Sequence, residues 1–113
     1  MEVQALTLRD RLQADLLVAM KRRDQVAAGL LRTLLGSFHN AEAVELTGHE
    51  EMTIGKRNDV PRRHLTENDL YSILRKEYAE RIAALADYDR HGAEGEKVER
   101  FRQEVELLST YLA

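Results

Sequence analysis

The 113-residue chain has no cysteine and no tryptophan, a single proline, and only 5% aromatic residues. Without cysteine there is no disulfide, no thiol nucleophile and no cysteine-ligated zinc. Such a chain suits a reducing cytoplasm. Long apolar runs are missing too. The longest, Val26 to Leu31, falls far short of the roughly 20 residues that span a bilayer as a helix, so no membrane partner is expected. The opening Met1-Glu2-Val3-Gln4 has neither the basic stretch nor the apolar core of a secretory signal. Net positive charge is absent as well. At −3, the molecule is no polycation, and nucleic-acid binding would need a local basic face.

What is present is 43% hydrophobic and 33% charged residues. That balance predicts an all-α protein with one apolar stripe per helix under a charged exterior. Residues 1–113 suffice for a single domain. Thr7 is placed to cap a first helix carrying Leu8, Leu12, Leu16, Ala19 and Met20, with Asp10 as a shortened capping-box acid. Lys21-Arg22-Arg23 end that helix, where cations complement the dipole. Asp24 then caps a second helix with Ala27, Leu30, Leu31, Leu34, Leu35, Phe38 and Ala41 on one arc.

The pattern breaks between Leu46 and His64, which include Gly48, Gly55 and Pro61. A connection this long predicts a mobile loop, basic at its end through Lys56, Arg57, Arg62 and Arg63. Leu65-Thr66-Glu67-Asn68-Asp69 reads as a clean helix start, and Leu70, Ile73, Leu74, Tyr78, Ile82, Leu85 and Tyr88 carry the helix to about Tyr88. Gly92 and Gly95 turn the chain into a last helix with a narrow seam of Val98, Phe101, Val105, Leu108 and Leu112. Leu107 and Tyr111 fall off that seam, where exposure would make them a docking surface. Four main helices in two hairpins is the economical architecture.

Three blocks now carry a resemblance. Ala19-Met20-Lys21 with Asp24 leads to Leu31-Arg32, Leu34, Asn40 and Glu42. Leu65-Thr66, Leu70 and Ile73 lead to Lys76-Glu77, Arg81, Tyr88 and Gly92. Glu104-Val105, Leu108 and Tyr111-Leu112 close the chain. In this order the blocks resemble the YqeY family, whose domain also forms the tail of the GatB subunit of glutamine-dependent tRNA amidotransferase. The chain departs from the pattern at Ala113, where the family usually has proline, and at Ala79 and Phe101, where a charged residue is expected. The family also continues into a second small helical subdomain that this sequence does not include.

The resemblance implies a non-catalytic helical module, an accessory to a carbon–nitrogen ligase with glutamine as amido donor, working through tRNA or a subunit of the amidotransferase. The alternative is a helical protein–protein interaction or homodimerisation module with no RNA role. Autonomous chemistry has little to stand on. Ser37, Ser72 and Ser109 are isolated in helices, and no glycine-rich phosphate cradle is present. His39, His49, His64 and His91 lack metal-ligand spacing. Neither a catalytic residue, a metal, a cofactor nor a small-molecule substrate is expected.

Two residue sets remain as candidate sites. Lys21, Arg22, Arg23, Arg57, Arg62, Arg63 and Lys76 are the candidate contacts for RNA phosphate or a partner. Glu77 and Arg81 project into the apolar arc with the acid first, as does Glu42 on the second helix. A partly buried polar cluster of Arg32, Glu42, Glu77 and Arg81 is therefore expected, either as a register-fixing ion pair or as a partner contact.

Overall fold

A computed structural model describes residues 6–44 and 64–113. They form four helices: α1 (Leu8–Lys21), α2 (Gln25–Val44), α3 (Glu67–Arg90) and α4 (Glu96–Leu112). No strand occurs among the described residues. Helix α1 packs chiefly on α2, and α3 chiefly on α4. The two hairpins meet through α2 against α3 and α4, and through α1 against α3. The expected loop at 46–64 lies outside the described residues except for His64, which is exposed.

Local chemistry explains where each helix starts. Thr7 accepts the N–H of Asp10 through its hydroxyl, but Asp10 does not return the bond, so α1 has half of the predicted box. Asp24 caps α2 by accepting the N–H of Ala27 at 3.1 Å. Thr66 and Asp69 form the complete reciprocal box at α3, with Leu65 packed against the core ahead of it. Helix α3 runs two residues past the expected end, to Arg90.

The helix ends use one motif twice. After α3, Gly92 adopts φ 65°, its N–H reaches Asp89 O, and the Ala93 N–H reaches Tyr88 O at 2.9 Å. After α1 the same Schellman pattern recurs: Arg23 N–H to Met20 O at 3.1 Å and Asp24 N–H to Ala19 O at 2.9 Å. There the left-handed position, φ 59°, is held by Arg23 rather than glycine.

The core joins Leu8, Leu12 and Ala19 of α1 to Leu30, Leu31, Leu34 and Phe38 of α2, Leu70 and Leu74 of α3, and Leu108 and Tyr111 of α4. Three expectations about the apolar faces need correction, the first being Ile82, read as part of the α3 stripe but 42% exposed on the outer face of that helix. Met20 is 48% exposed, because it lies in the last turn of α1 on the wall of the shallow recess at the α1–α2 turn. Tyr111 is only 5% exposed and belongs to the core. Helix α4 packs against α2 as well as α3, and its Tyr111 side chain reaches Asp15 and Arg11 of α1, which widens the buried arc beyond the two-in-seven seam. Leu107 is half-buried for the same reason.

Candidate functional site

Polar chemistry concentrates in three places. The first is a charged triad between α3 and α4. Arg81 donates from Nε to Glu104 Oε1 at 2.7 Å and from Nη1 to Glu77 Oε1 at 2.8 Å. The Arg81 side chain is 14% exposed, and those of Glu77 and Glu104 are 18% and 11%. Burial alone would lower the Arg81 pKa; hydrogen bonds and charge from the two carboxylates outweigh it, and the net shift is upward. The guanidinium is a fixed cation with both sides of its fork engaged.

The second place clasps α1 to the second hairpin. The Tyr111 hydroxyl donates to Asp15, and the Arg11 guanidinium lies 5.2 Å from the Tyr111 ring centroid. Arg11 also donates weakly to the Tyr71 hydroxyl at 3.4 Å. Burial, followed by the hydrogen bond to and charge of Asp15, raises the Tyr111 phenol above its ordinary range, while Arg11 opposes the shift. Further along α1, Glu67 accepts the N–H of Leu8 at 3.0 Å.

The third place is the α1–α2 corner, where Arg23 and Arg32 line one shallow recess with Met20, Gln25 and Ala28 at its walls. Lys21, Arg22, Arg23 and Arg32 are all exposed, and none has an ion-pair partner among the described residues. Asp24 lies within the corner, but one carboxylate oxygen is committed to capping α2. The predicted basic run is nevertheless split. Arg22 turns to the other side of the turn, into a cleft shared with Asp15, Leu107 and Tyr111.

The remaining candidates fall out as follows. Arg57, Arg62 and Arg63 lie outside the described residues. Lys76 is exposed and approaches Glu80 only at 4.0 Å. Of the expected polar cluster, the structure brings Glu77 and Arg81 together but not the other two. Glu42 pairs with Arg9 at 3.2 Å across α1–α2, and Arg9 lies 5.6 Å from the Phe38 ring centroid. Arg32 points into solvent. The physical reason is topological: Glu42 sits at the far end of α2, beside the start of α1, while Arg81 faces α4.

Sequence reasoning missed Glu104, Asp15 and the role of Glu67. Glu104 was detectable, since it falls three residues after Phe101 and four before Leu108 and so interrupts an apolar face with charge. Asp15 carried no such signal. Two of the three isolated serines are occupied locally: Ser72 Oγ accepts from Arg75, and Ser109 donates to Glu106 O. Among the described residues, no cluster of three or more His, Asp or Glu side chains is placed to hold a metal. No helix there is long and apolar enough to cross a membrane.

Fold and polar framework together define an all-α domain of two helical hairpins, the second tied internally by the charge triad and the two joined by a tyrosine–carboxylate clasp. Family comparison matches residues 9–113 to the family described as Yqey-like protein, and the chain belongs to it. No curated protein and no solved structure matches the chain.

Proposed function

We propose that this protein is a non-catalytic helical module that serves tRNA-dependent amide transfer from glutamine by engaging tRNA phosphates at the α1–α2 corner. The link to amidation comes from the family resemblance; the surface comes from the corner itself. One observation carries the choice of surface. Arg23 occupies a left-handed backbone position that glycine fills at the equivalent end of α3, and it does so beside Arg32, with both guanidiniums free of carboxylate partners among the described residues. A long cationic side chain at a strained position is retained at a cost of roughly 1 kcal/mol. Forked guanidiniums suit phosphate oxygens. A cytoplasmic location accords with such a role.

Bulk tRNA titrated by filter binding at roughly 50 and 200 mM salt tests the reading, since phosphate contacts release counterions and weaken as salt rises. Replacing Arg23 and Arg32 together should reduce the salt slope by about 2. Absence of binding at the lower salt, or binding indifferent to both substitutions, would defeat it.

A further inference from the structure

We infer that the outer face of α3 is a self-complementary surface on which a second copy of this chain docks around a two-fold axis passing near Ile82. Ile82 is 42% exposed, one of the few large apolar side chains left in solvent among the described residues. It is the midpoint of a stripe. Ala79 and Ala86, three residues before and four after it, are exposed, and Tyr78 and Leu85, four before and three after, are half-buried at its inner edge. Seven residues to either side stand Arg75 and Asp89, both exposed.

Antiparallel pairing of two such helices through Ile82 places residues equally far before and after the centre opposite one another. Each match is then complementary. Tyr78 meets the partner copy's small Ala86, and Ala79 meets its Leu85, so large side chains oppose small ones as packed helices require. Arg75 meets Asp89 of the other copy, twice by symmetry. Neither residue has an ion-pair partner within its own chain among the described residues; Arg75 donates only to Ser72, at 2.9 Å. Positions seven apart drift about 20° around a straight helix, which a left-handed crossing near +20° corrects. The last-helix seam does not compete for this role: Val98 and Leu108 are buried within the chain.

A contact confined to one helix from each copy falls below the roughly 1,200 Å² of stable interfaces, so the dimer is weak. Sedimentation equilibrium from about 10 μM to about 1 mM should show mass rising from the 13.0 kDa of one chain toward twice that value. R75D and D89R each set like charges opposite one another at both ends, and each should weaken self-association about tenfold or more. Both positions are exposed, so thermal unfolding should remain within a few degrees of the parent protein. Mixing the two variants restores opposite charges at both ends, and the mixture should associate more tightly than either variant alone. A monomer at the highest concentration would overturn the proposal. So would a dimer insensitive to both reversals, or a mixture no tighter than its components. None of these results depends on tRNA binding.

Discussion

The carboxylate of Glu67, in the first turn of α3, accepts the backbone N–H of Leu8, in the first turn of α1, at 3.0 Å. One acidic side chain therefore serves two helix starts: it complements the dipole of its own helix and satisfies an orphan donor of another. Glu67→Ala should cost about 1 kcal/mol and Glu67→Gln about half of that, since the amide keeps an acceptor but loses the charge. Urea unfolding of the two variants against the parent would check the order. Equal losses would mean that the charge contributes nothing.

Against the middle of α1, the Tyr111 phenol is buried, bonded to Asp15, and raised in pKa. Below about pH 10 the phenol is protonated in both folded and unfolded chains, and its contribution is fully present. Above that value the unfolded chain releases the proton first, so stability falls as pH rises toward the higher folded value. Thermal midpoints measured from pH 8 upward should decline beyond about pH 10, and Tyr111→Phe should flatten that decline. At neutral pH the same substitution should cost about 1.5 kcal/mol for the lost bond to a charged acceptor.

Removing the shared cation of the triad should be worse than removing one of its acids. Arg81→Met leaves Glu77 and Glu104 close together without a counter-charge, at a cost of about 3 kcal/mol. Glu104→Gln leaves the Arg81–Glu77 pair and a polar acceptor, and should cost about 1 kcal/mol. Combining Arg81→Met with Glu104→Leu should recover part of the Arg81→Met loss, because apolar packing replaces one ion pair while Glu77 still lacks its counter-charge. Chemical denaturation of all three variants measures this directly. A double variant less stable than Arg81→Met alone would contradict it.

Arg23→Gly separates stability from binding. Glycine removes the left-handed strain at φ 59° at the expense of a more flexible unfolded chain, for a net gain of up to about 1 kcal/mol. The same change removes one of the two corner guanidiniums. A variant that melts higher and binds tRNA more weakly is the expected pair of results. A lower melting temperature would show that Arg23 is held by contacts worth more than the strain.

Two glycines on the outer side of α2 make the opposite case. A methyl group built on Gly29 or Gly36 meets nothing within 4 Å. Each substitution to alanine should therefore stabilise the protein by about 0.5–1 kcal/mol, from helix propensity and reduced unfolded-state freedom. Calorimetry on the single variants and on the pair, whose effects should add, gives the check.

Read one residue at a time, the chain already determined its helices, their caps and most of the core. Threonine or aspartate before an apolar repeat, and glycine after it, act within a turn or two of backbone, so Thr7, Asp24, Thr66 and Gly92 could be read without knowing any distant neighbour. The Glu77–Arg81 pairing was legible for the same reason, being four residues apart on one helix. Which third residue joins them was not. Glu104 rather than Glu42 reaches Arg81 because α4, not the end of α2, lies against that stretch of α3, and spacing along a chain does not encode which helices become neighbours. Tyr111 was misread for a related cause: a seam computed for one contacting helix is too narrow where two hairpins converge. Tertiary packing alone decided these partnerships, and with them which charges remained free at the α1–α2 corner.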